Sequence, residues 1–219
     1  MAPSGPQWLH EIKLDGFRMA ARIDRGHAKL LTRTGLDWSD KYPAVLTALT
    51  GVRAKTVYLD GELCGVGADG VPNFAETQAA TDGARLVFYV FDLLHLDGRD
   101  TARLPLLERK ALLQPIVTDI PGLQFNAHET GDGELVRRHA CQLGFEGIVS
   151  KTVDAPYASG NRGLWRKAKC LNRQEFVVVG WTDPEGSRLI SARCCLVITR
   201  TTAGSFTPAA SAPECPRRC

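Results

Sequence analysis

A lysine stands directly before an Asp-Gly turn in the segment Glu11-Ile12-Lys13-Leu14-Asp15-Gly16-Phe17-Arg18. A lysine amine can attack phosphorus once it is neutral, and burial or neighbouring cations favour its neutral form. A solvated surface lysine beside a β-turn would have the same local sequence. The segment alone therefore leaves a nucleophile and an ordinary turn lysine both open.

Five further segments with polar or aromatic residues follow along the chain. In order they are Thr32-Arg33-Thr34-Gly35, Asp60-Gly61-Glu62, Tyr89-Val90-Phe91-Asp92-Leu93-Leu94, Glu146-Gly147-Ile148-Val149-Ser150-Lys151 and Trp165-Arg166-Lys167-Ala168-Lys169. A strand through the last segment would place Lys167 and Lys169 on one face. Two such cations suit a phosphate undergoing substitution, because charge develops on its oxygens. A solvated basic strand face is the plainer interpretation.

The last of these segments lies in a basic stretch. No acidic residue occurs from 161 to 173, a range that contains Arg162, Arg166, Lys167, Lys169 and Arg173. Such a stretch favours contact with the phosphate backbone of a nucleic acid.

The six segments, in this order, resemble the covalent nucleotidyltransferase superfamily and specifically the ATP-dependent DNA ligases. The sequences of these segments are most similar to those in the ligase part of bacterial end-joining ligases, and the resemblance covers about residues 7 to 185. The resemblance implies that Lys13 attacks the α-phosphate of ATP, releases pyrophosphate and forms lysyl–AMP. AMP then passes to the 5′-phosphate of a DNA nick, and the 3′-hydroxyl displaces AMP to seal the nick during repair and recombination, including non-homologous end joining.

The same resemblance implies roles for the other site residues. Lys167 and Lys169 join Lys13 as catalytic residues and also bind the nucleotide. The remaining nucleotide contacts are Glu11 at the adenine end, Arg18 and Arg33 at the nucleotide or the 5′-phosphate, Glu62 at the ribose and Phe91 stacked on the purine. Glu62 and Glu146 are the expected ligands of Mg²⁺ or Mn²⁺, which accompanies ATP. Without the resemblance, both glutamates read as surface carboxylates after tight turns and Phe91 as a core residue.

Composition bounds the class of protein. Hydrophobic residues make up 44% and charged residues 23% of the 219 residues, which is typical of a globular chain. The net charge of +3 permits a nucleic-acid partner without requiring one. No apolar run reaches the ~20 residues of a membrane span, and Met1–Gln7 lacks signal-peptide features. We expect a cytoplasmic monomer, with nicked double-stranded DNA and end-joining proteins as partners.

The seven cysteines are candidates for reduced core residues or for metal ligands. Cys64, Cys141 and Cys170 stand singly in apolar segments and are predicted to be reduced. The other four crowd near the C-terminus without a CxxC pair or a nearby histidine, which argues against zinc.

The pattern of apolar residues predicts an α+β fold rather than a regular βαβ array. Helices are expected from Ser39 to about Leu49, from Pro105 through Leu113, and over Glu134–Leu143. The predicted strands are Trp8–Leu14, Phe17–Ile23, His27–Thr32, Thr56–Val66, Leu86–Leu94, Gly147–Lys151, Leu164–Cys170 and Glu175–Trp181. In the family this is an ATP-grasp-like nucleotidyltransferase domain of antiparallel sheets flanked by helices.

We expect the chain to divide into three regions. Residues 1–173 are predicted to be the adenylation domain, 174–187 the start of an OB-fold, and 188–219 an aberrant, disordered tail such as a frameshift or truncation would produce. We therefore expect weak lysyl–AMP formation and little sealing. An RNA ligase or capping-type nucleotidyltransferase, and an inactive fragment that only binds nucleotide or DNA, are the alternatives.

Overall fold

The computed structural model describes residues 1–80, 85–158, 160, 163–170, 176–182 and 193–198, and it divides the chain into units 1–170 and 171–219. The strands of the first unit are β1 (Ser4–Ile12), β2 (Phe17–Asp24), β3 (His27–Thr32), β4 (Thr56–Val66), β5 (Pro72–Asn73), β6 (Leu86–Leu96), β7 (Arg99–Asp100), β8 (Leu123–Phe125), β9 (His128–Asp132), β10 (Gly147–Thr152) and β11 (Trp165–Lys169). Its helices are α1 (Pro43–Leu49), α2 (Phe74–Ala79), α3 (Leu106–Val117) and α4 (Gly133–Gln142).

The larger sheet has the strand order β3-β2-β4-β6-β7, with β5 beside β4 and β8 beside β6. All pairs are antiparallel except β6 with β8. One face packs apolar side chains against α1 and α3, and the core includes Met19, Leu59, Phe88, Leu49 and Leu113. Because side chains alternate along a strand, the other face carries polar residues, and these contribute part of the candidate site.

The smaller sheet has the order β11-β10-β1-β9 and is antiparallel throughout. Helix α4 packs against β1 and β10, where Ala140, Ile148 and Ala168 form a small core cluster. The central strand β1 ends at Ile12, so Lys13 leaves it directly. The smaller sheet thus brings Lys13 next to the first residue of β10, Gly147, which lies opposite the last residue of β11, Lys169.

The α+β class predicted from sequence is confirmed, with antiparallel sheets and few helices. The first helix is a partial correction. Ser39–Lys41 forms a separate 3₁₀ turn, and α1 starts only at Pro43, because proline favours the first helical turn. Helix α2 and strands β8 and β9 lie in segments for which the sequence predicted no element.

The second unit is described by two strands alone. Strand β12 (Phe176–Thr182) pairs antiparallel with β13 (Arg193–Ile198). Strand β13 lies inside the stretch for which the sequence predicted no regular element, and the rest of 188–219 lies outside the described residues. The proposed OB-fold start at 174–187 stays a prediction. No helix among the described residues is long and apolar enough to cross a membrane.

The prediction of reduced cysteines was wrong for two residues. Cys141 and Cys170 form a disulfide with Cα atoms 5.5 Å apart. The bond joins the C-terminal end of α4 to the residue after β11. Local sequence does not predict this pairing, because the partners are 29 residues apart and meet only through the packing of α4 against the smaller sheet. Cys64 is a buried free thiol, as expected.

Candidate functional site

Lys13 and Lys169 converge on one carboxylate, that of Glu146. The Lys13 ammonium donates to Glu146 Oε2, and the Lys169 ammonium lies 2.8 Å from Oε1. The Lys13 side chain is 14% exposed, that of Glu146 24% and that of Lys169 66%. Burial would raise the pKa of Glu146, but the hydrogen bonds from Lys13 and Lys169 outweigh it and lower that pKa. We call these three residues the Glu146 cluster.

Backbone hydrogen bonds place this cluster independently of its side chains. Lys13 N–H donates to Gly147 C=O at 2.9 Å, and Cys170 N–H donates to Glu146 C=O at 2.8 Å. Gly147 has φ +148°, and a Cβ atom there would lie 2.3 Å from Ala168 O. A side chain at this position would therefore push β11 away from β10.

Glu62 lies on β4, close enough to Lys13 for their charges to interact. Burial raises the pKa of Glu62 to about 7, although the charges of Arg18 and Lys13 and the Gly16 N–H act to lower it. This carboxylate therefore holds a proton more readily than the one in the Glu146 cluster. Because Glu62 is half-buried on a central strand, it is not the surface carboxylate after a tight turn that its local sequence suggests.

Arg18 is bound by a partner that the sequence did not single out. Its guanidinium makes a two-point contact with Asp60, at 3.1 Å from Nε to Oδ1 and 2.7 Å from Nη2 to Oδ2. The Tyr157 hydroxyl donates to the same Asp60 Oδ2 at 2.9 Å. Burial and Asp60 raise the pKa of Tyr157 to about 12, so this hydroxyl keeps its proton. Burial would lower the pKa of Arg18, but Asp60 outweighs it and raises that pKa.

An open cleft of about 610 Å³ lies on the polar face of the larger sheet. Three predicted cations line it, Arg18, Arg33 and Lys167, together with Asp60, Tyr157 and Trp165. Its lining does not include Lys13, Glu62, Glu146 or Lys169. The predicted phosphate-binding cations thus fall into two groups, one in this cleft and one in the Glu146 cluster.

Lys167 and Lys169 lie two residues apart on β11, opposite Val149 and Gly147 of β10. They share a strand face, as the sequence predicted. Along that face, Lys167 reaches the cleft and Lys169 reaches Glu146. Arg166 points elsewhere and stacks 5.1 Å from the Trp8 ring centre. Arg162 and Arg173, the other members of the predicted basic stretch, lie outside the described residues.

Phe91 stands apart from the main apolar core, whereas Phe88 on the same strand belongs to it. The Phe91 ring meets Trp165 edge to face, with centroids 5.8 Å apart. The Lys151 ammonium lies 4.4 Å from the Phe91 centroid and 4.2 Å from that of Trp165, a distance at which cations bind aromatic faces. Phe91 therefore lies on the site side of the sheet.

Glu11 lies deep in the protein, two residues before Lys13 on the same strand. Its side chain is 2% exposed, and it contacts two buried lysines, Lys110 and Lys151. Lys151 Nζ is 2.6 Å from Glu11 Oε2. The sequence named Glu11 as a site residue but gave no warning of Lys110, since a lysine on a helix is usually exposed. Lys151 closes the fourth downstream segment, so its position carried a weak signal.

The two glutamates predicted to hold a metal, Glu62 and Glu146, both lie beside Lys13. Glu146 is partly exposed, and both Glu62 and Glu146 interact with Lys13. No group of three or more His, Cys, Asp or Glu side chains suited to a metal occurs within the described ranges. Mg²⁺ needs no such cage, because one or two carboxylates with phosphate and water oxygens suffice. The donor set therefore fits a metal that arrives with a nucleotide.

Comparisons with known proteins agree on one family. The family model described as "ATP dependent DNA ligase domain" matches residues 2–169. The multifunctional non-homologous end joining protein LigD of Pseudomonas aeruginosa is 39% identical over 191 residues, which cover 85% of this chain and 23% of that protein. This chain thus spans about a quarter of the curated LigD relatives that it matches.

Two solved structures share the fold. The ligase domain of M. tuberculosis LigD aligns with a TM-score of 0.71 and 33% identity, over 80% of this chain and 58% of that one. A mycobacterial DNA ligase D complexed with ATP and MES aligns with a TM-score of 0.69 and 32% identity, over 81% of this chain and 59% of that one.

Proposed function

Since the chain belongs to the ATP-dependent DNA ligase family, we propose that Lys13 takes AMP from ATP and passes it to the 5′-phosphate of a DNA nick. The observation that carries this proposal is the Glu146 cluster, where the lysine of the Lys-x-Asp-Gly segment is mostly buried against a carboxylate. A lysine in free solvent would have no such neighbours. Lys13 is also the residue that the resemblance of the Lys-x-Asp-Gly segment implies as the nucleophile.

In the first step, the Lys13 amine attacks the α-phosphorus of ATP. A nitrogen–phosphorus bond forms, the bond from that phosphorus to the bridging oxygen breaks, pyrophosphate leaves, and Nζ loses a proton. In the described state Lys13 is engaged as an ammonium with Glu146. The amine must leave this ion pair and lose its proton before it attacks, because only the neutral amine has a free lone pair.

The cations around this centre would bind the triphosphate and the charge that develops on it. Lys169 lies beside Glu146, and Lys167, Arg18 and Arg33 line the neighbouring cleft. Preorganised cations stabilise developing negative charge without reorganisation during the reaction. Asp60 and Tyr157 hold Arg18 in a fixed orientation, so Arg18 contributes a fixed donor rather than a mobile one.

Glu62, Phe91 and Glu11 would bind the nucleoside. We assign Glu62 to the ribose, Phe91 to the face of the base and Glu11 to its edge. Glu146 and Glu62 would hold the Mg²⁺ or Mn²⁺ that accompanies ATP. When bound there, a divalent cation would neutralise phosphate charge.

In the later steps the AMP on Lys13 moves to the 5′-phosphate of a nick, and the 3′-hydroxyl displaces AMP as the phosphodiester forms. The exposed cations Arg33, Arg166 and Lys167 would contact the DNA backbone, which carries one negative charge per phosphate. Nicked duplex DNA is the proposed substrate, and end-joining proteins are the proposed partners.

Labelling with α-³²P-ATP and Mg²⁺, followed by a denaturing gel, tests the nucleophile. We expect acid-labile label on the wild type and on Lys29→Ala, a matched exposed lysine bound to Asp37. Lys13→Ala should carry no label. Label that persists on Lys13→Ala would eliminate the proposed nucleophile, and an unlabelled wild type would favour an inactive, nucleotide-binding fragment.

Substrate competition separates this function from the related transferases. An excess of unlabelled ATP in the labelling reaction should reduce the label on Lys13, and an excess of unlabelled GTP should not. Labelled enzyme should then transfer AMP to nicked DNA faster than to nicked RNA. A preference for GTP would instead support a capping-type nucleotidyltransferase, and a preference for nicked RNA would support an RNA ligase.

A further inference from the structure

Three charged side chains are buried together behind the Lys13 segment: Glu11, Lys110 and Lys151, which we call the Glu11 triad. Their exposed fractions are 2%, 1% and 1%. Burying an ion is unfavourable unless it is paired, so each member depends on the others. Glu11 is on β1, Lys110 on α3 and Lys151 on β10, so the triad joins three separate elements.

The Lys110 ammonium has more hydrogen-bond acceptors among the described residues than the Lys151 ammonium has. Its ammonium donates to Glu11 Oε1 and to Asn126 C=O at 2.8 Å, and it lies 4.5 Å from the centre of the Phe125 ring. Lys151 Nζ is close to Glu11 Oε2, but it makes no well-directed hydrogen bond within the part of the chain that the structure describes. The orientation of the Glu11 carboxylate therefore depends chiefly on Lys110.

The triad keeps Glu11 ionised. Burial would raise the pKa of Glu11, but the charges of Lys151 and Lys110 outweigh it and lower that pKa. An ionised carboxylate only accepts hydrogen bonds, whereas a protonated one can also donate. A group that binds to the remaining lone pairs of Glu11 must therefore be a donor.

We propose that Lys110 is a positioning residue that makes this site select a 6-aminopurine over a 6-oxopurine nucleotide. The inference rests on the proposed function, in which Glu11 meets the edge of the base. With Lys110 in place, Glu11 presents a fixed acceptor to the exocyclic amine of ATP. The 6-carbonyl of GTP or ITP would face that acceptor without a proton between them, and unpaired polar groups of this kind are strongly rejected.

The test compares labelling of Lys13 by α-³²P-ATP and α-³²P-GTP at several nucleotide concentrations. The variants are Lys110→Met, which removes the ammonium, and Lys110→Arg, which retains a cation. Leu113→Ala is the matched control, since Leu113 is a fully buried core residue of the same helix and is not a member of the triad. It should destabilise α3 without altering the Glu11 carboxylate.

In Lys110→Met we expect the ATP-to-GTP ratio of labelling efficiencies to fall about tenfold or more, the scale of one hydrogen bond to a charged group. Most of this fall should come from a higher ATP concentration at half-maximal rate. The limiting rate should change less, because Lys110 does not touch the reacting phosphate. Lys110→Arg should restore part of the ratio, and Leu113→Ala should leave it at the wild-type value.

A double mutant tests whether Lys110 acts through Glu11. Glu11→Gln and Glu11→Gln/Lys110→Met should have the same nucleotide ratio, because effects on one coupled pair do not add. An unchanged ratio in Lys110→Met, or a further fall in the double mutant, overturns the inference. Lys110→Gln replaces Lys110→Met if thermal unfolding shows that the latter does not fold, and an unchanged ratio there is equally decisive.

The two proposals fail in different ways. A wild type that takes no label on Lys13 overturns the proposed function and this inference with it. A wild type that takes label, with a nucleotide ratio insensitive to Lys110, overturns only the role of Lys110.

Discussion

The Glu146 cluster and the Glu11 triad have the same composition, one carboxylate between two lysines, and differ in exposure. Side chains of the Glu146 cluster range from 14% to 66% exposed, whereas those of the Glu11 triad are at most 2% exposed. Solvent can replace a lost partner in the first group and cannot do so in the second. Identical charges thus give one group whose ion pairs solvent can replace and one group whose three members depend on each other for counter-charge.

The largest effect expected from this comparison is on stability. Glu11→Gln leaves two buried lysines without a counter-charge and should lower the free energy of unfolding by about 3 kcal/mol or more. Glu146→Gln removes the same charge from a partly exposed position and should change it by at most about 1 kcal/mol. Urea unfolding of the two variants measures both values. Equal losses would mean that exposure does not separate the two groups.

The disulfide sharpens the comparison, because it lies on the side of the more exposed group. Cys170 follows Lys169 directly, and its bond to Cys141 closes a separation of 29 residues. Cys141→Ser should lower the free energy of unfolding by about 3 kcal/mol, the size expected from loop closure. Reduction with dithiothreitol should do the same to the wild type and nothing further to the variant. Wild type that unfolds at the same urea concentration with and without reductant contradicts this prediction.

A third effect, smaller than those of Glu11 and the disulfide, concerns Glu62, whose carboxylate accepts no hydrogen bond from a lysine among the described residues. Its pKa is about 7 in the folded protein, above the ordinary value of about 4.3. The folded state binds this proton more tightly, so stability should fall as pH rises through the interval from about 4.3 to 7. We expect Glu62→Gln to remove about 1–3 kcal/mol of that fall.

Thermal unfolding at pH 5 and pH 8 measures the effect. The wild type should lose more stability over this interval than Glu62→Gln does. Glu76→Gln serves as the control, since the one ion pair of Glu76 among the described residues is a long contact with Arg85 at 3.7 Å. Parallel pH curves for the wild type and Glu62→Gln would rule out the raised pKa.

The strands of the fold were predictable because apolar and polar residues alternate along them and because they end at recognisable turns. Asp15-Gly16 and Asp24-Arg25-Gly26 separate β1, β2 and β3, and the predicted bounds of β3 and β4 match the structure. Strand β8 was missed because its three residues pair in parallel with β6, a contact between distant segments. A three-residue stretch is too short to show an alternation of apolar and polar residues.

The site was predictable to the extent that it follows family segments. Lys13, Glu146 and Lys169 lie in different segments and come together in space. The partners of those residues were not predictable, as Lys110, Asp60 and Tyr157 illustrate. Their roles depend on which side chains pack together, and a lysine within a helix carries no local mark that it will be buried. The Cys141–Cys170 pair was missed for the same reason.

The crowded glycine after Glu146 has a consequence for redesign. Main-chain bonds at positions 146 and 147 locate both Lys13 and the end of β11, so the carboxylate itself is not needed to build the scaffold. A different acidic or amide side chain at 146 could therefore be installed while the backbone contact that holds Lys13 in register remains. Gly147 offers no such latitude, because a Cβ atom there would collide with Ala168 O. A library over these two positions that is screened for folding alone should therefore accept many residues at 146 and only glycine at 147.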